Sequence, residues 1–174
     1  MSEAEIALLT TFATEHPIDF AHLLERGTAD EIAHVLTQLD HETASIVLAR
    51  MTPSAAAAAI CLIELENAAE ILSEAGASNA AGVLARCPEE ARRTLLGLVS
   101  GREADAIRRL LMHAAQTAGS IMDALVPCIA DDATVGDALQ QIRDQVDHAL
   151  YYVYIVDRQQ HLVGVTTLRE LFQA

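Results

Sequence analysis

The sequence predicts a mainly α protein with a small α/β module. A right- or left-wound superhelix of short helices, built on a 12-residue repeat, is followed by a compact β-α-β-β-α unit. Three observations predict it. Apolar residues recur every twelve positions through most of the chain, and helix-capping residues recur at the same period. Past about His113 the texture changes, and β-branched and aromatic residues gather near the end. Internal periodicity comes first because it decides the architecture before any local propensity does.

The main rail reads Leu24, Leu36, Leu48, Ile60, Leu72, Leu84 and Leu96, and the next rung is Arg108. Beside it run Leu39, Met51, Ile63, Ala75, Cys87, Val99 and Leu111, and also Leu23, Val35, Val47, Ala59, Ile71, Val83, Leu95 and Ile107. Small residues hold a fourth rail at Ala21, Ala33, Ser45, Ala57, Ala69 and Ala81. Within a unit the apolar places fall at i, i+3, i+4 and i+7, one face of a helix of two to three turns. Such a helix is too short to persist alone, so each must bury its stripe against its neighbours. A coiled coil is excluded, because the period is not seven and caps interrupt it.

Ser2-Glu3-Ala4-Glu5 reads as a capping box opening a first helix to about Thr14, and His16-Pro17 restarts the chain. Thr28, Asp40, Thr52 and Ser100 are twelve-spaced N-cap residues, with Pro88 at the equivalent place. Thr28–Glu31 and Ser100–Glu103 both have the capping-box spacing. Glu64 and Gly76 depart from the cap pattern, so Asn67 and Ser78 are expected to cap their helices two or three residues late.

After a small, turn-like stretch at 117–122, Val126-Pro127-Cys128-Ile129 reads as a short strand and Val135 to about Arg143 as a helix. Leu150–Val156 is the strongest strand in the sequence. A turn at Asp157–His161, a strand at Leu162–Thr166 and a helix at Leu168–Gln173 complete the unit.

Bulk composition narrows the function classes. The net charge is −14, and all eleven basic residues are arginine. A surface this acidic repels phosphate backbones and attracts cations, so nucleic acid is not an expected partner. Three cysteines without CxxC spacing read as reduced thiols. The longest strictly apolar run, Ala55–Ile63, is far short of the ~20 residues a membrane helix needs. Together with the absence of a signal pattern, this predicts a cytoplasmic chain. No motif for a nucleophile, a metal-dependent hydrolase or a phosphate loop is present, so no catalytic residue is assigned and the chain is not read as an enzyme.

Two resemblances coincide at this point. The second module resembles a CBS domain. Its markers are Ile121-Met122, Ala133-Thr134-Val135-Gly136-Asp137-Ala138-Leu139, Val153-Tyr154-Ile155-Val156-Asp157 and Leu162-Val163-Gly164-Val165-Thr166-Thr167-Leu168-Arg169-Glu170-Leu171. The first module, with the joint Gln116–Met122 and the run Tyr151-Tyr152-Val153-Tyr154, is similar to the cytosolic N-domain of MgtE-family magnesium transporters.

The resemblance divides the chain into an N-domain-like superhelix over 1–115 and a single CBS domain over 116–174, the first of a usual tandem pair. It implies a magnesium-sensing, gating region in which bound ions let acidic surfaces approach. A transmembrane pore domain is then the implied partner, and the chain would be held at the cell membrane as part of a longer transporter. A lone CBS module is expected to self-associate, because it exposes the apolar surface its pair would cover. The competing reading is a stand-alone CBS scaffold, or an interaction protein responsive to an adenine nucleotide.

The family's acidic N-domain positions align with Ser78, Asn79, Ile46 and Gln116 here, so its ion ligands do not carry over residue by residue. Candidate metal ligands therefore come from other acids. Glu66, Glu70 and Glu74 fall at i, i+4 and i+8, one acidic line if their helix is unbroken, or simply a solvated face. Asp131 and Asp132 precede a CBS helix and suit either a cation or a cap. Many CBS domains hold ribose hydroxyls with Ser/Thr-x-x-Asp before the last helix. This chain has Thr167-Leu168-Arg169-Glu170, making Thr167 and Glu170 the candidate nucleotide contacts.

Overall fold

The computed structural model describes residues 3–114, 117–120, 122, 126, 128–145 and 151–173. The chain divides into two compact units, Met1–Ala124 and Leu125–Ala174. Ser2 of the first capping box, Gln116 and Ile121 of the joint, and Pro127 and Leu150 of the two expected strands lie outside the described residues.

The first unit is a series of short helices: α1 (Glu3–Glu15), α2 (Pro17–Leu24), α3 (Ala29–Leu36), α4 (His41–Leu48), α5 (Pro53–Ile60), α6 (Leu65–Glu74), α7 (Ala77–Leu84), α8 (Glu89–Leu98) and α9 (Gly101–Leu111). From α2 to α9 each helix packs on the one two places along, while α1 packs on α2 and α4. The set α3, α5, α7, α9 makes one layer and α2, α4, α6, α8 the other. Between the layers lies one continuous core containing Leu36, Leu48, Ile60, Leu72 and Leu84, each essentially without solvent exposure. Ala44, Ala56, Ala68 and Ala80 are fully buried, and side chains this small suit close-packed helices.

The rail through Leu39, Met51, Ile63 and Cys87 is buried although it lies beyond the helix ends. After the helix, the chain tightens by successive i→i−3 bonds: Leu39 N–H to Leu36 C=O, Met51 to Leu48, Ile63 to Ile60 and Cys87 to Leu84. Those bonds satisfy terminal carbonyls and swing the next apolar side chain back under the helix. The periodic face is thus part helix, part turn.

The caps sort into three kinds. Thr28 forms the full capping box: its hydroxyl accepts from Glu31 N–H at 3.3 Å, and its own N–H donates to Glu31 Oε2 at 2.7 Å. Asp40 caps α4 through Thr43 N–H at 2.9 Å. At Thr52 the hydroxyl caps nothing. Instead its backbone N–H donates to the carboxylate of Glu25, twenty-seven residues earlier, tying the end of α2 to the start of α5.

Two expectations need correction. Helices α6 and α7 are not capped late by Asn67 and Ser78; they begin at once, after Glu64 and Gly76. Gly76 sits at φ +79, ψ 151, a conformation open only to glycine, and it replaces the tail turn that other units carry. The Ser100–Glu103 box does not form, since Ser100 makes no side-chain cap bond. Gly101 at φ +72 turns the entry to α9 by backbone geometry instead.

In the second unit β1 (Cys128–Ala130) pairs parallel with β2 (Tyr152–Val156), which pairs antiparallel with β3 (Leu162–Thr167) in the order β1-β2-β3. Val126, expected to open the first strand, lies outside β1. Helix α10 (Val135–Gln145) bridges β1 and β2, and α11 (Leu168–Gln173) follows β3 directly. A small core of Ile129, Ala138, Ile142 and Val153 joins α10 to the sheet. The chain is mostly helical with one three-stranded sheet among the described residues, as the repeat and the terminal β-rich run predict.

Candidate functional site

Helix α6 is unbroken from Leu65 to Glu74, so Glu66, Glu70 and Glu74 do stand on one exposed line. At 1.5 Å rise per residue the outer two are ~12 Å apart along the axis, with each neighbouring pair ~6 Å apart. Like charges at i, i+4 repel, and no basic residue of α6 offsets them. Among the described residues, no group of three or more His, Cys, Asp or Glu side chains converges closely enough to hold a metal ion. The α6 row therefore offers single carboxylates, each suited to one or two inner-sphere bonds to a largely hydrated hard cation.

Asp131 and Asp132 occupy the turn between β1 and α10, at the carboxyl end of the parallel strand pair. Asp131 N–H donates to Val156 C=O at 3.0 Å, and Asp132 Oδ2 pairs with the Arg158 guanidinium at 3.0 Å. Neither aspartate caps α10. That role falls to Thr134, whose hydroxyl accepts from Asp137 N–H at 3.2 Å and donates to Asp137 Oδ2 at 2.6 Å. Beside them Asp157 organises the β2–β3 turn. Its Oδ1 accepts from Gln159 and His161 N–H, both at 2.8 Å, and these bonds lower its pKa.

Thr167 and Glu170 lie at the opposite end of the sheet. Thr167 pairs with Tyr152, whereas Val156 marks the Asp131 end, four residues or ~13 Å along the strand. The Thr-x-x-Glu motif closes on itself as a capping box for α11. Glu170 Oε2 accepts from Thr167 N–H at 2.8 Å, Thr167 Oγ1 at 2.9 Å and Thr166 Oγ1 at 3.1 Å. These bonds hold Glu170 below the ordinary glutamate pKa, the backbone N–H of Thr167 contributing most. The extra methylene of glutamate is what lets the carboxylate reach back. Next to it, Tyr151 and Tyr152 meet edge to face at 4.7 Å and are largely exposed.

The first unit also carries a cleft of about 480 Å³ along the face of α7, which sequence reasoning missed. Its lining includes Ser78, Asn79, Gly82 and Arg86, together with Met51 and His113. No acidic residue lines it, in a chain with twenty-five. The place where the family's aspartates would stand is thus a neutral-to-basic cleft. Its one sequence signal is the run of small residues Ser78, Asn79 and Gly82 on one helix face.

A two-layer stack of short helices followed by a β-α-β-β-α unit defines a helical-repeat protein with an appended CBS fold. Residues 15–116 match the family described as the MgtE intracellular N domain, and residues 118–174 match the CBS domain. The chain belongs to the MgtE family and has the domain order of that family's cytosolic part.

Among related proteins, a magnesium transporter MgtE of Enterococcus faecalis (strain ATCC 700802 / V583) is 44% identical over 71 residues, covering 40% of this chain and 16% of that protein. The chain therefore spans a small part of that relative's length. A crystal structure of the soluble part of a magnesium transporter shares 28% identity at a TM-score of 0.60, covering 99% of this chain and 74% of the other. The cytosolic domain of the Mg2+ channel MgtE in complex with ATP shares 26% identity at a TM-score of 0.79, covering 91% and 66%.

Proposed function

We propose that this chain is the magnesium-sensing, gating region of an MgtE-like magnesium transporter, acting on a transmembrane pore domain from the cytoplasmic side of the membrane. The observation that supports this reading most is the joint occurrence of the MgtE intracellular N domain and a CBS domain, in that order, in one chain. We place the domain boundary at 115/116 and take the CBS unit as the first of a pair, completed by a second CBS surface. The exposed apolar residues of the edge strand β3 (Leu162, Val163 and Val165), with Phe172 of α11, suit such a surface and equally suit self-association.

In this reading Glu66, Glu70, Glu74, Asp131 and Asp132 act as half-sites. Each offers one carboxylate to a hydrated magnesium ion whose remaining ligands come from an opposing surface. The ion neutralises charges that otherwise hold the surfaces apart. The test is calorimetric titration with magnesium chloride, compared with sodium chloride at matched ionic strength. Saturable heat with magnesium, lost in the triple variant Glu66→Gln/Glu70→Gln/Glu74→Gln or in Asp131→Asn/Asp132→Asn, supports the assignment. Equal responses to both salts overturn it.

An adenine nucleotide is a second ligand, favoured by the ATP complex of a relative with the same fold. The exposed Tyr151–Tyr152 pair beside Thr167 supplies aromatic surface for a base. The ribose must compete with the Thr167–Glu170 capping box for the same oxygens. A Glu170→Asp variant, too short to close that box as tightly, is expected to bind ATP more strongly than the parent in equilibrium dialysis. Weaker binding by the variant would sink the competition.

A further inference from the structure

We propose that the cleft along α7 binds a small organic carboxylate with an apolar body, held by its charge at Arg86. The twelve-residue repeat shows how this one place is cleared. Ser78 stands where other units carry Asp30, Glu42, Glu66 and Glu90, so the acid of the first helical turn is missing here. Gly82 stands where they carry His22, His34, Ile46 and Glu70, so the side chain of that place is missing as well. A β-carbon at Gly82 would meet no atom within 4 Å, and the open space of the cleft begins there.

Arg86 lies one turn further along and lines the same cleft. Its Nη1 donates to Gly82 C=O at 2.8 Å, which draws the guanidinium back beside the vacant place. That bond leaves the Nε–H and Nη2–H edge open, two parallel donors at the spacing a carboxylate accepts in bidentate fashion. No carboxylate of the described residues pairs with Arg86, whereas Arg93, Arg108 and Arg158 each stand in an ion pair. His113 also lines the cleft and packs so closely on Gly119 that a β-carbon there would collide with the imidazole. The ring is thus held in place, and it carries an N–H in either tautomer.

Much of the remaining wall is apolar, with Leu48, Met51, Val83 and Leu111. A volume of about 480 Å³ falls within the ~300–1,000 Å³ of small-molecule pockets, where apolar walls hold the body of a ligand and a few polar groups orient it. A hard cation does not suit this lining, which holds no carboxylate among the described residues. An inorganic anion would leave the apolar walls without a partner. A carboxylate on a short hydrocarbon chain matches both parts. None of these residues belongs to the magnesium half-sites above, so each assignment can fail without the other.

The experiment titrates the whole isotope-labelled chain with sodium hexanoate at constant ionic strength and follows backbone amide shifts by NMR. Acetate, the charge without the body, and hexanol, the body without the charge, are the controls. Hexanoate should move the amides of Met51, Gly82 and Val83 saturably and bind about tenfold more tightly than either control. Arg86→Gln should weaken hexanoate about tenfold and leave hexanol unchanged. Gly82→Leu should fill the space and abolish hexanoate binding. Should that variant fail to fold, Arg86→Gln, which alters an exposed side chain, still decides the matter. The proposal is overturned if hexanoate gives no saturable shift, binds no better than both controls, or is indifferent to Arg86→Gln. Shifts confined to the apolar edge of β3 overturn it equally.

Discussion

At Thr28 a hydroxyl and a carboxylate three residues apart close a reciprocal pair of bonds, while Ser100, with the same spacing to Glu103, closes neither. Thr28→Ala should therefore cost about 1 kcal/mol in urea unfolding, the usual worth of an N-cap, and Ser100→Ala should fall within about 0.5 kcal/mol of zero. Gly76→Ala should cost about 1 kcal/mol or more although the space beside Gly76 is empty, because φ +79 strains any L side chain. Glu31, Asp40, Asp157 and Glu170 all have pKa values lowered by bonds they accept in the fold. A lowered folded value means stability that is present above the unfolded value and lost as pH falls through the folded one. The thermal midpoint should be flat near neutrality and drop in the acid range, and Glu31→Gln should make that drop shallower.

The element scale shows what could be read in advance and what could not. Rungs such as Leu36, Leu48 and Leu72 were legible because a helix that short has one way to bury its stripe, and the period repeats that answer. Leu72→Ala, in the middle of the stack, should cost about 2–5 kcal/mol, whereas Leu23→Ala, 53% exposed at the start of it, should cost less than about 1. Denaturant midpoints of the two variants check the contrast. The bond from Thr52 N–H to Glu25 and the Asp132–Arg158 pair were not legible. They join residues twenty-seven and twenty-six apart that share no place in any repeat, so no spacing announces them. The Thr167–Glu170 motif was visible as a string, but its role as a cap appears only once Glu170 is seen bonded to Thr167 itself. The cleft along α7 arises from missing bulk rather than from any chemical motif.

For the molecule as a whole, a net charge of −14 means self-repulsion among the carboxylates. Any salt relieves part of it, since at 0.1 M the screening length is ~10 Å. Magnesium bound to folded carboxylate sites adds a stabilisation that grows with the logarithm of its concentration. The thermal midpoint at millimolar magnesium chloride should therefore exceed that at equal ionic strength of sodium chloride. The glutamine triple variant of the α6 row should lose most of the excess. Val163→Glu, on the open edge of the sheet, should reduce self-association in sedimentation while leaving the helical stack unchanged.

Packing each helix on the one two places away has a consequence for how such a chain can change length. Removing one unit of twelve would move every later helix into the opposite layer, yet rungs from both layers, such as Leu36 and Leu48, meet in the same core, so each stripe would still face it. Insertions and deletions tolerated by this architecture should therefore come in steps of twelve residues. The inheritable module is a single helix with its turn.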